Sequence, residues 1–168
     1  MNDPPEEESA AVRSATLKSG VSRVTIRGVP HQAGIAAEIF REISQQKINV
    51  DDIIESASNS GRNVIVSFTV EGKQADAAQA VAETIAERFS DSKVEITRDL
   101  ARLRVVGLGM RSQSGVAAKL FTAIADKGVN IENISTSEIV ISVLIPDKDG
   151  STALRAVHEA FSLDSDPA

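Results

Sequence analysis

The sequence contains no cysteine, so disulfide bonds and thiolate metal sites are excluded. It also has no tryptophan or tyrosine and only five phenylalanines among 168 residues, which leaves few side chains for stacking on nucleic-acid bases. No apolar run approaches the roughly 18 to 20 residues that span a bilayer, and no signal peptide is recognised. A cytoplasmic protein is therefore expected, without a membrane association.

The sequence has fewer basic than acidic residues. The chain has 18 Lys and Arg against 24 Asp and Glu, for a formal net charge of −6. Without a basic cluster, this balance argues against nucleic acid or an anionic membrane surface as a partner. The shares of hydrophobic residues (42%) and charged residues (25%) are typical of a soluble globular protein. With so few aromatic residues, the core must be built from Val, Ile, Leu and Ala.

Patterns typical of catalysis are also missing. The two histidines, His31 and His158, are far apart in the sequence, and neither belongs to a metal-ligand spacing. We expect His158 to be an ordinary surface residue on the rim of its helix. The Gly107-Leu-Gly109 segment lacks the spacing of a dinucleotide-binding loop. We therefore expect no catalytic residue, no metal and no cofactor.

The clearest feature of the sequence is an internal repeat. The segment from Val24 to Phe40 returns from Val105 to Phe121, at an offset of 81 residues. The same offset relates Ile48-Asn-Val-Asp-Asp-Ile53 to Val129-Asn-Ile-Glu-Asn-Ile134. Two copies of one small unit are predicted.

Each copy alternates strands and helices. In the first copy, alternating apolar residues predict strands at 21–28, 48–57 and 63–70, with a short one at 94–96. Helical spacing predicts one helix after Gly34 and another with its apolar stripe from Ala78 to Phe89. The order βαββαβ predicts an α+β fold: two ferredoxin-like domains in tandem, with antiparallel sheets and helices on one face.

The second copy repeats this order from Arg102 to Phe161 but lacks the closing strand. The stretch 11–18, which precedes a break at Ser19-Gly20, alternates weakly, and we expect it to substitute for that strand. The predicted boundaries are an acidic tail plus this extra strand at 1–20, a first domain at 21–100, a second domain at 101–163 and a C-terminal tail at 164–168.

Small residues mark a helix start in each copy. Gly34-Ile35-Ala36 and Gly115-Val116-Ala117 place unpaired backbone N–H groups at a positive helix end, where the carboxylate of a free amino acid would fit. Alternatively, small residues there merely allow tight packing. Asn49-Val50-Asp51 and Asn130-Ile131-Glu132 favour the ligand, because each is predicted to bring polar groups beside the same loop.

Three segments, Gly107 to Phe121, Gly128 to Ile139 and Val157 to Phe161, resemble the C-terminal tandem ACT domains of aspartate kinase. The resemblance runs from about Val21 to Leu163. It implies a regulatory subunit that is not an enzyme by itself, binds threonine or lysine, and transmits feedback inhibition to a catalytic aspartate kinase subunit. It also implies a homodimer through the ACT domains, with sites where the first-copy loop meets the second copy of a neighbouring chain.

The resemblance and the helix starts together indicate two amino-acid sites. The first consists of His31, Gly34, Ile35, Ala36, Asn49, Val50, Asp51, Glu55, Asn130 and Ile131, and the second of Met110, Ser112, Gly115, Val116 and Ala117.

Two positions depart from the family pattern. His31-Gln-Ala-Gly34 replaces the usual Asp-x-Pro-Gly, and Glu55 stands where Gln is common. We hypothesise that Glu55 supplies the lost negative charge from the opposite wall; the alternative is a pocket that binds nothing. Other functions remain open: an amino-acid sensor for another enzyme or regulator, a structural assembly subunit with a decayed site, or a fragment of a full-length kinase.

Overall fold

The computed structural model describes residues 12–107 and 113–163, and these form two compact units. The first unit comprises residues 20–99, and the second combines 12–19 with the chain from Leu100 onward. Two long strands, β1 and β4, contribute one segment to each unit. The Gly107-Leu-Gly109 loop extends beyond the described residues. Residues 1–11 of the predicted N-terminal segment and all of the predicted C-terminal tail, 164–168, also lie outside them.

The helices and strands follow the predicted α+β order. They are β1 Val12–Pro30, α1 Ile35–Gln45, β2 Asp51–Ala57, β3 Asn63–Glu71, α2 Ala75–Ala86, β4 Lys93–Gly107, α3 Gln113–Ala125, β5 Asn133–Thr136, β6 Val140–Pro146 and α4 Gly150–Ala160. Short 3-10 turns precede α2 and α4. None of the helices in the described residues has the length and hydropathy of a membrane span.

The first unit has the strand order β2-β3-β1-β4. Because β3 is antiparallel to both β1 and β2, the strands β1 and β2 run in the same direction. Alternate residues of β3, from Val64 to Val70, are buried against α1 and α2, which contribute Ile39, Ile43 and Ile85 to the core. Burying each such side chain fully contributes about 1.5–3 kcal/mol, so this aliphatic face holds the helices on the sheet.

The second unit has the corresponding order β1-β4-β6-β5, in which the segment 12–19 of β1 takes the place of the missing closing strand. Val12 and Ala15 are buried in the same core as Leu103 and Val143. Leu17 packs against the start of α4, where its Cδ2 lies 3.0 Å from the position that a Cβ on Gly150 would occupy. An early segment of chain thus completes a sheet whose other strands lie about 80 residues later.

Three details differ from the sequence-based predictions. The break predicted at Ser19-Gly20 does not end the strand, since β1 continues to Pro30 with Gly20 at a φ of 68°. The strands predicted at 94–96 and from 102 are one strand, β4, in which Asp99 has a φ of 56°. His158 is not an ordinary surface residue: it is half-buried, and its ring Nε2 lies 3.0 Å from the carbonyl oxygen of Ala15.

Candidate functional site

The loop between β1 and α1 leads into a helix start at Gly34. Gly34 has a φ of 91°, which favours glycine, and no side chain of the described residues caps α1. His31 N–H donates to the Arg62 carbonyl at 3.1 Å and Ile35 N–H donates to the Gln32 carbonyl at 3.3 Å, so the loop is fixed at both ends. Within the described residues, the next amide, that of Ala36, has no acceptor. Such N–H groups at the positive end of a helix favour an anion.

This loop forms one wall of a cleft of about 300 Å³, a volume at the lower end of small-molecule sites. Four of the predicted residues line it from the loop and the helix start, and Glu55 lines it from β2. The complete lining is Val29, Pro30, His31, Gln32, Ala33, Gly34, Ile35, Ala36, Glu55, Val64 and Val66.

Glu55 owes its place in the cleft to the register of the sheet. It lies opposite Val66, and residues paired across antiparallel strands share a face, so it points to the same side of the sheet as the buried face of β3. His31 and Glu55 are the titratable side chains of the cleft, and both are exposed. The cleft therefore offers hydrogen-bond donors at the helix start and a carboxylate on the other side, which suits a small zwitterion.

The cleft does not include Asn49, Val50 and Asp51. Asp51 pairs with Thr69, which in turn pairs with Arg23 near the start of the first-unit segment of β1. The cleft lies at the other end of that segment, beyond Pro30. Helix α1 runs back along the sheet, so β2 starts at the end where Arg23 and Thr69 lie. The expectation that this segment lies beside the loop of its own unit is therefore wrong.

Residues around Asn49 make contacts of their own. The side chain of Gln74 accepts a hydrogen bond from the Asn49 amide at 3.2 Å and donates one to the Lys47 carbonyl at 3.1 Å. The Asp51 carboxylate accepts from the Asp52 amide at 2.9 Å. These contacts fix the turn into β2 at the end of the sheet remote from the cleft.

In the second unit, the predicted residues fall into two groups. Val116 is buried in the core, and Ala117 and Ile131 pack against that core, whereas Asn130 is exposed at the approach to β5. Met110 and Ser112 lie outside the described residues, so the second site is not described as a whole. Gly115 lies in the first turn of α3.

Several cleft residues escaped the sequence analysis. Gln32 and Ala33 belong to the loop, and Pro30 ends β1 beside them. Val64 and Val66 belong to the strand that alternation predicted at 63–70, but only the register shows that they share a face with Glu55. Among the described residues, no cluster of three or more acidic or histidine side chains is arranged to hold a metal ion.

Comparisons with known proteins agree with this architecture. The model of the ACT domain family matches twice, at residues 24–96 and 103–161. An aspartate kinase of Pseudomonas fluorescens is 40% identical over 163 residues, which cover 95% of this chain and 39% of the relative. The chain thus spans about two fifths of the length of the curated relatives that it matches.

Solved structures identify which part is matched. The ligand-free regulatory subunit of aspartate kinase from Thermus thermophilus superposes with a TM-score of 0.80 at 36% identity, over 90% of this chain and 99% of that one. A chain from a structure of aspartokinase alpha and beta subunits superposes with a TM-score of 0.79 at 34% identity, with the same coverage. The chain therefore belongs to the ACT domain family, as a tandem pair that corresponds to the regulatory and not the catalytic part of aspartate kinase.

Proposed function

We propose that this chain binds a free amino acid of the aspartate pathway, threonine or lysine, in the first-unit cleft and transmits feedback inhibition to a catalytic aspartate kinase subunit. The observation that carries the proposal is the uncapped start of α1 facing Glu55 across the cleft. The regulatory role follows from the family, and the ligand and the inhibition are the proposal.

A zwitterion matches the two sides of the cleft. Its carboxylate accepts hydrogen bonds from the amides at the start of α1, as anions do at helix N-termini. Its ammonium group donates to the carboxylate of Glu55. A charge-assisted hydrogen bond of this kind contributes about 1.5–3 kcal/mol, and the exposure of Glu55 places the expected value at the lower end.

The edge strands support a homodimer that completes the site. The sheets end at β2 in the first unit and β5 in the second, and these strands expose Ile53 (54%) and Ile134 (45%) at equivalent positions of the repeat. Antiparallel pairing of β2 with β5 of a second copy would place the end of one strand against the start of the other. Asn130 and Ile131 of the second copy then meet the end of β2, where the cleft lies.

The same pairing gives Asn49, Val50 and Asp51 a role. The start of β2 would meet the end of β5 of the second copy, and thus the end of the second unit at which α3 begins. We therefore assign this segment to the second amino-acid site, together with Met110, Ser112, Gly115, Val116 and Ala117. This assignment accounts for its distance from the first-unit cleft.

The catalytic partner is proposed from the relatives. One matched structure is described as aspartokinase alpha and beta subunits, and its matched chain is covered to 99% by this chain. Inhibition requires that the amino acid bind two states of the assembly unequally, and a coupling of about 1–3 kcal/mol is typical of such control.

Calorimetric titration of threonine and of lysine into the wild type and Glu55→Gln tests the proposal. We expect one of them to bind, and Glu55→Gln to weaken binding about tenfold or more, which corresponds to 1.4 kcal/mol or more. Glu95→Gln is the matched control, because Glu95 lies on β4, outside the cleft, and pairs with Arg27 at 3.1 Å. Equal affinities for wild type and Glu55→Gln would refute the role of Glu55.

A thermal-shift screen with the twenty amino acids extends the test to other ligands. A ligand that binds only the folded protein raises its apparent stability by RT ln(1 + [L]/Kd). Stabilisation by an amino acid outside the aspartate pathway would favour a sensor of another kind. No stabilisation by any of them, together with an active complex with the kinase, would favour a structural assembly subunit.

A further inference from the structure

A groove of about 610 Å³ lies between α3 and α4 on the outer surface of the second unit. Thr122 and Ala123 line it from α3, and Ala156 and Ala160 line it from α4. These small side chains leave room for a further helix at the 8–10 Å axis separation of packed helices. The corresponding groove of the first unit, between α1 and α2, measures about 280 Å³.

Ion pairs bridge the helices of the first unit. Arg88, which follows α2, donates to Glu38 Oε1 at 2.9 Å and also to Glu42, both on α1. The hydrogen bond to Glu42 is the main reason why the pKa of Arg88 is raised above its usual value. The repeat places Lys119 and Ala123 at the positions of Glu38 and Glu42. The carboxylates that would hold such a bridge are therefore missing from α3.

Charged side chains of both signs line the second-unit groove. Lys119 lies on α3, and Asp126, seven residues later, follows Ala125, the last residue of that helix. The Asp126 amide still donates to the Thr122 carbonyl at 2.9 Å, so the helical path continues to Asp126. At 1.5 Å per residue the two positions are about 10.5 Å apart, on one stripe with Thr122 and Ala123 between them. Neither makes an ion pair within the described part of the chain; the Lys119 ammonium lies 5.3 Å from the centre of the Phe161 ring. The remaining charges of the groove, Lys127 and Glu159, also have opposite signs.

We propose that the groove is occupied by α3 of a second copy of this chain, packed antiparallel across a two-fold axis at Thr122 and Ala123. In this arrangement Lys119 of each copy faces Asp126 of the other, and the alanines of α4 make room for the incoming helix. The pattern is self-complementary, as a two-fold interface requires. The contact uses the helix face and is separate from the β2 and β5 edges, so a chain can use both.

Disulfide trapping tests the two-fold axis directly, because the wild type has no cysteine. Thr122→Cys places a single thiol beside its symmetry mate, and oxidation should give a disulfide-linked dimer. Thr84→Cys is the matched control: Thr84 is also an exposed helical threonine and lines the first-unit groove. Paired thiols react at an effective concentration near millimolar, so we expect cross-linking about tenfold faster or more for Thr122→Cys. Equal rates for the two variants would overturn the proposal.

Charge reversal tests the pairing independently. Lys119→Asp places aspartate opposite the partner's Asp126, and Asp126→Lys places two lysines together, so each single change should halve the assembly mass in sedimentation velocity. The double variant Lys119→Asp/Asp126→Lys restores opposite charges and should restore the wild-type mass. Lys148→Asp, an exposed lysine outside the groove, controls for the change in net charge. Unchanged mass in both single variants, or no recovery in the double variant, would contradict the α3 pairing.

Discussion

The two units keep one strand order but complete their sheets with different pieces of chain. The first closes with residues 93–99 of β4, which follow its second helix directly. The second has only a short turn after α4 within the described residues and takes residues 12–19 from the other end of the chain. The first unit is thus contiguous in sequence, whereas the second depends on a strand that is separated from the rest of its sheet by the 80 residues of the first unit.

The units also differ in their helix layers. Arg88, just after α2, forms ion pairs with α1 within the first unit, whereas α3 and α4 present alanines and charged side chains that make no ion pair with the described part of the chain. A duplicated fold has thus been adapted in opposite ways. The charged side chains of the first helix layer pair with one another. In the proposed α3 pairing, those of the second helix layer pair with a second copy of the chain.

The largest effect is expected from a charge on the borrowed strand. Ala15 is 8% exposed in the second-unit core, so Ala15→Asp buries an unpaired carboxylate and should destabilise that unit by about 3 kcal/mol or more. Thr16→Asp, at the exposed neighbouring position, is the control. Hydrogen exchange should show faster exchange first in residues 113–163. Equal protection in the two variants would mean that the second unit does not need this strand.

The next largest effect concerns the first unit alone. Gly28 has a φ of 72°, and an added Cβ would lie 2.1 Å from the Asp91 carbonyl oxygen, so backbone would have to move. Gly28→Ala should cost about 3 kcal/mol through left-handed strain and this clash. Gly61→Ala is matched, since Gly61 has a φ of 69° with no atom within 4 Å, and should cost about 1 kcal/mol. Denaturant unfolding measures the free energy of unfolding of both variants. Similar decreases for the two would show that the close approach to Asp91 does not contribute to the cost.

Local pattern predicted most of the fold, because alternation and helical spacing follow directly from which side chains are buried. The alternating apolar residues of the predicted strand 63–70, from Val64 to Val70, are buried, and the repeat predicted the second copy from the first. The continuity of β1 and β4 was missed because Gly20 and Asp99 are residues typical of turns. Here their positive φ angles occur within continuous strands.

The site was predicted only in part, because the sequence pattern identifies neighbours along the chain better than neighbours across the sheet. Loop and helix-start residues are neighbours in sequence, and Glu55 joins them through the sheet register. Asn49 to Asp51 were misplaced because the prediction ignored strand direction. Helix α1 has 11 residues, so at 1.5 Å per residue it returns the chain about 16 Å toward the start of the first-unit segment of β1 before β2 begins. Applying this rule to the βαβ order would have placed the segment correctly without coordinates.

His158 was missed because its partner, Ala15, lies 143 residues away, and no local pattern encodes such a contact. It also provides the smallest test of the borrowed strand. A half-buried hydrogen bond contributes about 0.5–1.5 kcal/mol net, so His158→Leu should lower the free energy of unfolding of the second unit by about 1 kcal/mol. His158→Gln keeps an N–H donor and should recover part of that loss. If both variants match the wild type in hydrogen exchange of residues 12–19, the apolar contacts of Val12, Ala15 and Leu17 hold the strand without the His158 hydrogen bond. If His158→Leu alone accelerates exchange there, the second unit relies on a polar contact for its borrowed strand, which connectivity makes unnecessary in the first.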